Sequence, residues 1–267
     1  MRIGPLLRHL ALIFVCLIVA LPIFWLIRTS LVPAALSYDA RLWPAFSTEN
    51  YQSLFARNGY GRNYMNSVIV ALGSVLIATP FAALTGYAFA RFRTGGRAAR
   101  FAVLATQMLP PVALALPTFM IYREVGLTNS IAGLVIVYAV INLPFLTWIL
   151  MGFFEGIPKE LEEAAITDGA TNWQAFVLVV LPVARPGIAA AVVLGFILAW
   201  NEFLFALILS GPSTATVPVA LAALQTSNGV EIGKVAAGVA LAIVPLMVVS
   251  RFIQKYLVRG LSFGGVG

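Results

Sequence analysis

Few side chains in this 267-residue sequence are equipped for covalent chemistry. Cys16 is the single cysteine and His9 the single histidine, so an internal disulfide is impossible and a Cys/His zinc site lacks ligands. A catalytic triad would need His9 as its base, and His9 stands beside Arg8 near the start of the chain. The nearest approach to a nucleotide-binding loop is Gly229-x-x-x-Gly233-Lys234-Val235. It is a residue short of G-x-x-x-x-G-K-[ST] and lacks the hydroxyl that holds magnesium.

Two groups of residues remain that can do other work. The first is polar groups set inside apolar runs. Glu202, with Asn201 beside it, is the foremost, and Asn142 and Gln107 are weaker cases. An ionisable group within a membrane span is costly, so it either faces a cavity or pairs with a neighbouring helix. Asn142-Leu143-Pro144 predicts a break in its run, with freed carbonyls facing a cavity.

The second group is a cluster of acids: residues 155–182 hold five of the 10 Asp and Glu. This stretch is written like two folded helices. Pro158 suits a first helical position, and Glu160, Glu162 and Glu163 suit the positive end of a helix dipole. Leu161, Ala164 and Ala165 make one small apolar face, and Gly169 supplies a C-terminal cap. Thr171-x-x-Gln174 is a capping box opening a second helix through Trp173, Phe176 and Val177, which Pro182 and Pro186 close. Such a helix fits another protein's groove or lies on lipid. Its acids outnumber its bases, so an anionic leaflet would repel it.

These groups must be positioned by membrane helices. The composition is 61% hydrophobic and only 10% charged, with a mean hydropathy of +0.95, which excludes a water-soluble enzyme. Runs at 10–27, 63–90, 101–122 and 125–154 carry no charge, and each fits a crossing. Residues 187–209, interrupted by Glu202, make a fifth span, and 235–250 a short sixth whose end Arg251 extends by snorkelling. The fold class predicted is an all-α polytopic membrane protein with six transmembrane helices in a single domain, 1–267. With the N-terminus inside, 11 of the 17 Lys and Arg fall on the cytoplasmic side, most clearly Arg91, Arg93, Arg97 and Arg100. Both termini are therefore expected in the cytoplasm, and the net charge of +7 marks topology rather than nucleic acid. The first run exceeds a signal peptide's apolar core and lacks a clear cleavage site, so it is expected to be retained.

Glu163-Ala164-Ala165, then Gly169 six residues after the glutamate, then Leu181-Pro182, resemble the EAA loop of ABC importer permeases. Val179 stands where that pattern has Ile. Further similar segments are Tyr87-Ala88-Phe89-Ala90-Arg91-Phe92, Met108-Leu109-Pro110-Pro111, Gly126-Leu127-Thr128-Asn129-Ser130, Trp200-Asn201-Glu202-Phe203 and the glycine-rich tail. The tail ends in Gly267 directly after Val266, where the family often has a Lys before its last Gly. The chain thus resembles the binding-protein-dependent carbohydrate permeases of the maltose-transporter type over nearly its whole length.

That resemblance implies a bacterial inner-membrane subunit that pairs with a second, homologous permease and receives its solute from an extracytoplasmic binding protein. Two ATP-binding subunits would dock on the EAA loop (156–182), through Glu163, Ala164, Ala165, Asp168, Gly169, Leu181 and Pro182. ATP and Mg would be bound by those partners, and this chain would hold no cofactor. Glu202, Asn201, Asn142, Gln107, Tyr138 and Trp200 would line the solute path. Tyr138, Trp148, Trp200 and Phe205 offer rings for stacking on sugars, or are belt and lipid-facing bulk. The tail, 251–267, would reach toward the ATPase dimer, and the outer loop around Trp43, Pro44, Tyr51 and Phe55 would face the binding protein. An ion-gradient-driven secondary transporter is the alternative; it would show more intramembrane acids and a repeat of similar halves.

Overall fold

The computed structural model describes residues 3–42, 44–92, 94–226 and 229–263. Arg2, Trp43, Arg93 and the 264–267 end of the tail lie outside the described residues. The helices in chain order are α1 (Ile3–Ser30), α2 (Glu49–Asn58), α3 (Tyr60–Phe92), α4 (Gly96–Met108), α5 (Pro111–Glu124), α6 (Ile131–Glu155), α7 (Glu160–Thr167), α8 (Asn172–Ala175), α9 (Leu181–Val183), α10 (Arg185–Trp200), α11 (Leu204–Leu209), α12 (Val217–Ala222) and α13 (Ile232–Phe263). A π turn, Phe176–Val180, joins α8 to α9, and a two-residue antiparallel pair, Gln225–Thr226 with Gly229–Val230, precedes α13.

Among the described residues four helices are long and apolar enough to cross a membrane, and up to six crossings exist if two bent pairs each count once. The protein is an all-helical polytopic membrane protein. The first bent pair, α4 and α5, turns by 89° at Leu109-Pro110. The single run predicted at 101–122 is therefore two helices, because prolines at 110 and 111 withdraw two backbone donors from the ladder. The second pair turns by 73° between Val183 and Arg185. The predicted fifth span also ends early: α10 stops at Trp200, and α11 is a separate helix after a break at Asn201 to Phe203. α13 outruns its predicted 235–250 at both ends, and the tail is helical as far as Phe263. α6 passes Pro144 unbroken, so the predicted break in that span does not occur.

The chain divides into two compact units, 1–64 with 219–244 and 65–218 with 245–267. In the first, α1 buries none of its spanning window, and its apolar side chains from Leu7 to Ile27 stand exposed. Its last turn is anchored by Arg28. That side chain is fully buried and donates to the main-chain carbonyls of Asp39, Arg41 and Leu42. Hydrogen bonding from Arg41 lowers the neighbouring Asp39 carboxyl to about 2.

The second unit has an apolar core of its own. Ala78, Ala82, Ala83 and Tyr87 of α3 pack with Ala139, Leu146, Leu150 and Phe154 of α6 and Ala191 of α10. Small residues bring the backbones together, as expected where lipid gives no hydrophobic push between helices. A Cβ on Gly86 would meet the backbone of Thr147 and Met151 at 3.0 Å. Tyr87, Phe154 and Phe176 close the end of this core nearest α7, with Tyr87 and Phe176 ring centroids 4.4 Å apart.

Candidate functional site

The segment 156–182 folds around two caps whose residues are visible in the sequence. Gly169 takes φ +94, and the amides of Gly169 and Ala170 bond the carbonyls of Ile166 and Ala165, so α7 ends in a Schellman motif. Thr171 and Gln174 then form the capping box: Oγ1 of Thr171 accepts from the Gln174 amide at 3.2 Å, and Oε1 of Gln174 accepts from the Thr171 amide at 2.8 Å. Two local details differ from expectation. α7 begins at Glu160, two residues beyond Pro158. Pro182 and Pro186 do not end the second helix, which continues to Val183 through the π turn and bends at Ala184. Pro182 has no N–H for a helical bond, and the Leu181 amide reaches back to Phe176 instead.

The faces of α7 are inverted relative to a soluble helix. Its one buried residue is Glu162, while Leu161 and Ile166 are 42% and 45% exposed. Glu163, Ala164, Asp168 and Gly169 are also exposed, and Ala165 is half-buried. Trp173 of α8 is exposed as well. Leu181 and Pro182 are half-buried instead, with Leu181 packed against the core, so they shape the turn rather than the exposed face.

Glu162 explains why α7 holds this orientation. Its Oε2 accepts from the Tyr87 hydroxyl at 2.7 Å, and its Oε1 accepts from Nε of Arg91. Nη2 of Arg91 also donates to the Ile157 carbonyl at 2.8 Å. The Arg91 and Glu162 side chains are 6% and 10% exposed, so both charges are taken from water and satisfied by each other and by flanking groups. Nearby, Arg100 pairs with Glu155 at 3.2 Å and donates to the Phe89 carbonyl. Glu162, Tyr87 and Arg91 are not among the site residues expected from the sequence. Tyr87 and Arg91 stand four apart and so share a face of α3, which is a usable signal. Nothing separates Glu162 from Glu160 or Glu163 except which way the helix is turned.

Four of the six predicted path residues meet. Gln107, Tyr138, Asn142 and Glu202 line one cavity of about 210 Å³, walled by Ile141, Leu198 and Ala199. A second, mostly apolar cavity of about 480 Å³ shares Gln107 and Ile141 with it and lies against Leu109, Pro111, Pro144 and Phe205. Nε2 of Gln107 donates to the Ile141 carbonyl at 2.9 Å, and the Tyr138 hydroxyl donates to the Glu202 carbonyl at 3.3 Å.

The Glu202 side chain has a structural task. Its two oxygens accept from the amides of Phe205 and Ala206 at 3.0 and 3.2 Å, capping the first turn of α11. The other two predicted residues are placed elsewhere. Trp200 is buried and stacked on Phe196, and Asn201 is exposed with its amide turned back to the Ile197 carbonyl. Of the proposed stacking rings, Trp148 is 47% exposed and Phe205 buried.

Residues 78–263 match the profile of the binding-protein-dependent transport system inner membrane component, and the chain belongs to that family. It is 37% identical over 251 residues, 92% of each chain, to the trehalose transport system permease protein SugB of Mycobacterium tuberculosis. It is 32% identical to the diacetylchitobiose uptake system permease protein NgcG of Streptomyces coelicolor, covering 96% of this chain and 87% of that one. Among solved structures it is similar to a bacterial ABC transporter that imports the acidic polysaccharide alginate. There the TM-score is 0.78 and the identity 25%, over 96% of both chains.

Proposed function

We propose that this chain is one of two permease subunits of an ABC importer for a sugar, polyol or related solute, driven by ATP hydrolysis in two partner subunits. The observation that carries this reading is the inverted α7: Leu161, Ala164 and Ile166 face out while a charged residue is locked inward. A small-residue helix closed by a Schellman motif and followed by a capping box is a rigid part for a partner's cleft. Glu163, Ala164, Ala165, Asp168 and Gly169 form its contact surface, and ATP and Mg belong to the partner. Positive residues at the α7 side support a cytoplasmic position for that side and for both termini in a bacterial inner membrane. The solute class follows relatives named for trehalose, diacetylchitobiose and alginate. An extracytoplasmic binding protein delivers it, and Gln107, Asn142 and Tyr138 line this subunit's share of the path.

A secondary transporter driven by an ion gradient is disfavoured by Glu202, whose carboxylate is occupied in capping α11. Co-purification decides between them. The chain should bring down an ATPase, and uptake in vesicles should vanish when that ATPase's Walker lysine is replaced. Uptake by this chain alone on a proton or sodium gradient would sink the proposal.

A further inference from the structure

α3 is held by buried polar contacts at both of its ends. At its C-terminal end, Tyr87 and Arg91 bind Glu162 of α7. At the opposite end, Nδ2 of Asn66 donates to the carbonyls of Ser213 and Ala215 at 3.0 and 3.1 Å. One residue on, Oγ of Ser67 accepts from the Val217 amide at 2.8 Å. Asn66 and Ser67 are 7% and 4% exposed, so water does not compete for these bonds. The segment they hold has no regular structure of its own at 213–216. It is clamped once more where Oγ1 of Thr214 donates to Oδ1 of Asn129 at 2.7 Å.

Both anchors sit on the one 33-residue helix, and the stretch from Asn66 to Arg91 runs about 38 Å at 1.5 Å per residue. Gly86 seats it directly on the backbone of α6. The helix keeps its course through Pro80, which withdraws one backbone donor, and packing on α6 along this stretch stiffens it, so a displacement at one anchor is carried to the other.

We propose that α3 is a connecting rod between the segment 211–217 and α7, with Asn66 and Ser67 as positioning residues at one end and Tyr87, Arg91 and Glu162 at the other. Seating of the solute-loaded binding protein on the extracytoplasmic side shifts 211–217, and α3 delivers that shift to α7 and the ATPase beneath it. This inference rests on the importer reading and adds a route to it.

The test uses the complete transporter in lipid nanodiscs, with ATPase rates measured without and with saturating solute-loaded binding protein. Asn66→Leu is expected to cut the stimulation roughly fivefold or more, the low end of typical coupling effects, while the unstimulated rate and ATPase co-purification stay unchanged. Ser67→Ala gives the same loss and Ser67→Thr, which keeps the acceptor, retains stimulation. Asn66→Leu combined with Glu162→Gln falls no further than the stronger single variant, since a rod released at one end already transmits nothing. Should Asn66→Leu fail to assemble, Ser67→Ala against Ser67→Thr is read in the same way. Full stimulation in the Asn66 or Ser67→Ala variants, or a double variant whose loss is the product of the two singles, overturns the rod but leaves the importer reading standing. A wild-type chain that recruits no ATPase overturns both.

Discussion

Glu162 and Glu163 are neighbours in sequence yet lie on different faces of α7, one buried against Arg91 and Tyr87, the other exposed. Adjacent helical positions are about 100° apart, so a single ion pair fixes which acid points where. The buried acid sets the helix, and the exposed one remains on its surface.

Replacing Ala164 by Trp, or Glu163 by Lys, should weaken ATPase capture at least ~10-fold, as a bulky or reversed group at a small docking face does. Folding should change by only about 0.5 kcal/mol, because neither side chain is buried in this chain. Pull-down against the ATPase, beside a thermal melt of the permease, separates the two. Undiminished capture in both variants refutes the docking face.

Gly169 has φ +94, where an L side chain is strained. Gly169→Ala should cost about 1–2 kcal/mol locally, and Gly169→Pro more, because proline fixes φ near −65°. We expect ATP hydrolysis to persist while solute uptake falls, with membrane insertion intact. Equal uptake by wild type and Gly169→Pro in right-side-out vesicles would contradict the rigid-helix requirement.

The buried pair makes an unequal prediction for single and paired changes. Arg91→Met leaves Glu162 as an uncompensated charge and should destabilise by about 3–5 kcal/mol. Arg91→Met with Glu162→Leu should recover most of that, because apolar residues of similar size replace buried ion pairs at little cost. Detergent melts of the three proteins give the answer; a double variant as unstable as the single would mean that the charge is not what matters.

Gln107→Leu and Asn142→Leu remove polar groups from the 210 Å³ cavity and should raise the half-saturation of uptake without altering ATPase capture. Asn201→Ala, outside that cavity and bonded only to its own helix, should leave uptake near wild type. Glu202→Ala should act through α11 and cost about 1 kcal/mol, as loss of a helix cap does. If Asn201→Ala is the variant that loses uptake, the path has been drawn on the wrong side of α10.

The membrane class, the end of α7 and the start of α8 were legible because they depend on local composition and on residues with fixed conformational preferences: uncharged runs, Gly169, and Thr171 with Gln174. Breaks in the spans were less so. The Pro110-Pro111 pair stops a helix, whereas the single Pro144 is carried inside α6 with one backbone donor lost. Glu202 was found by its rarity within an apolar run, but its partner was the backbone of the next helix, visible only once α10 had ended at Trp200. The Arg91 to Glu162 contact joins residues 71 apart and could not be read from either neighbourhood.

The exposed apolar groups of α7 and α8 also bear on how much of each subunit a cell can keep. Without an ATPase over them, Leu161, Ile166 and Trp173 face water, the condition that chaperones and membrane proteases recognise. On the importer reading, any permease made in excess of its motor carries its own mark for removal, and the stoichiometry of the complex is policed at the surface through which it works.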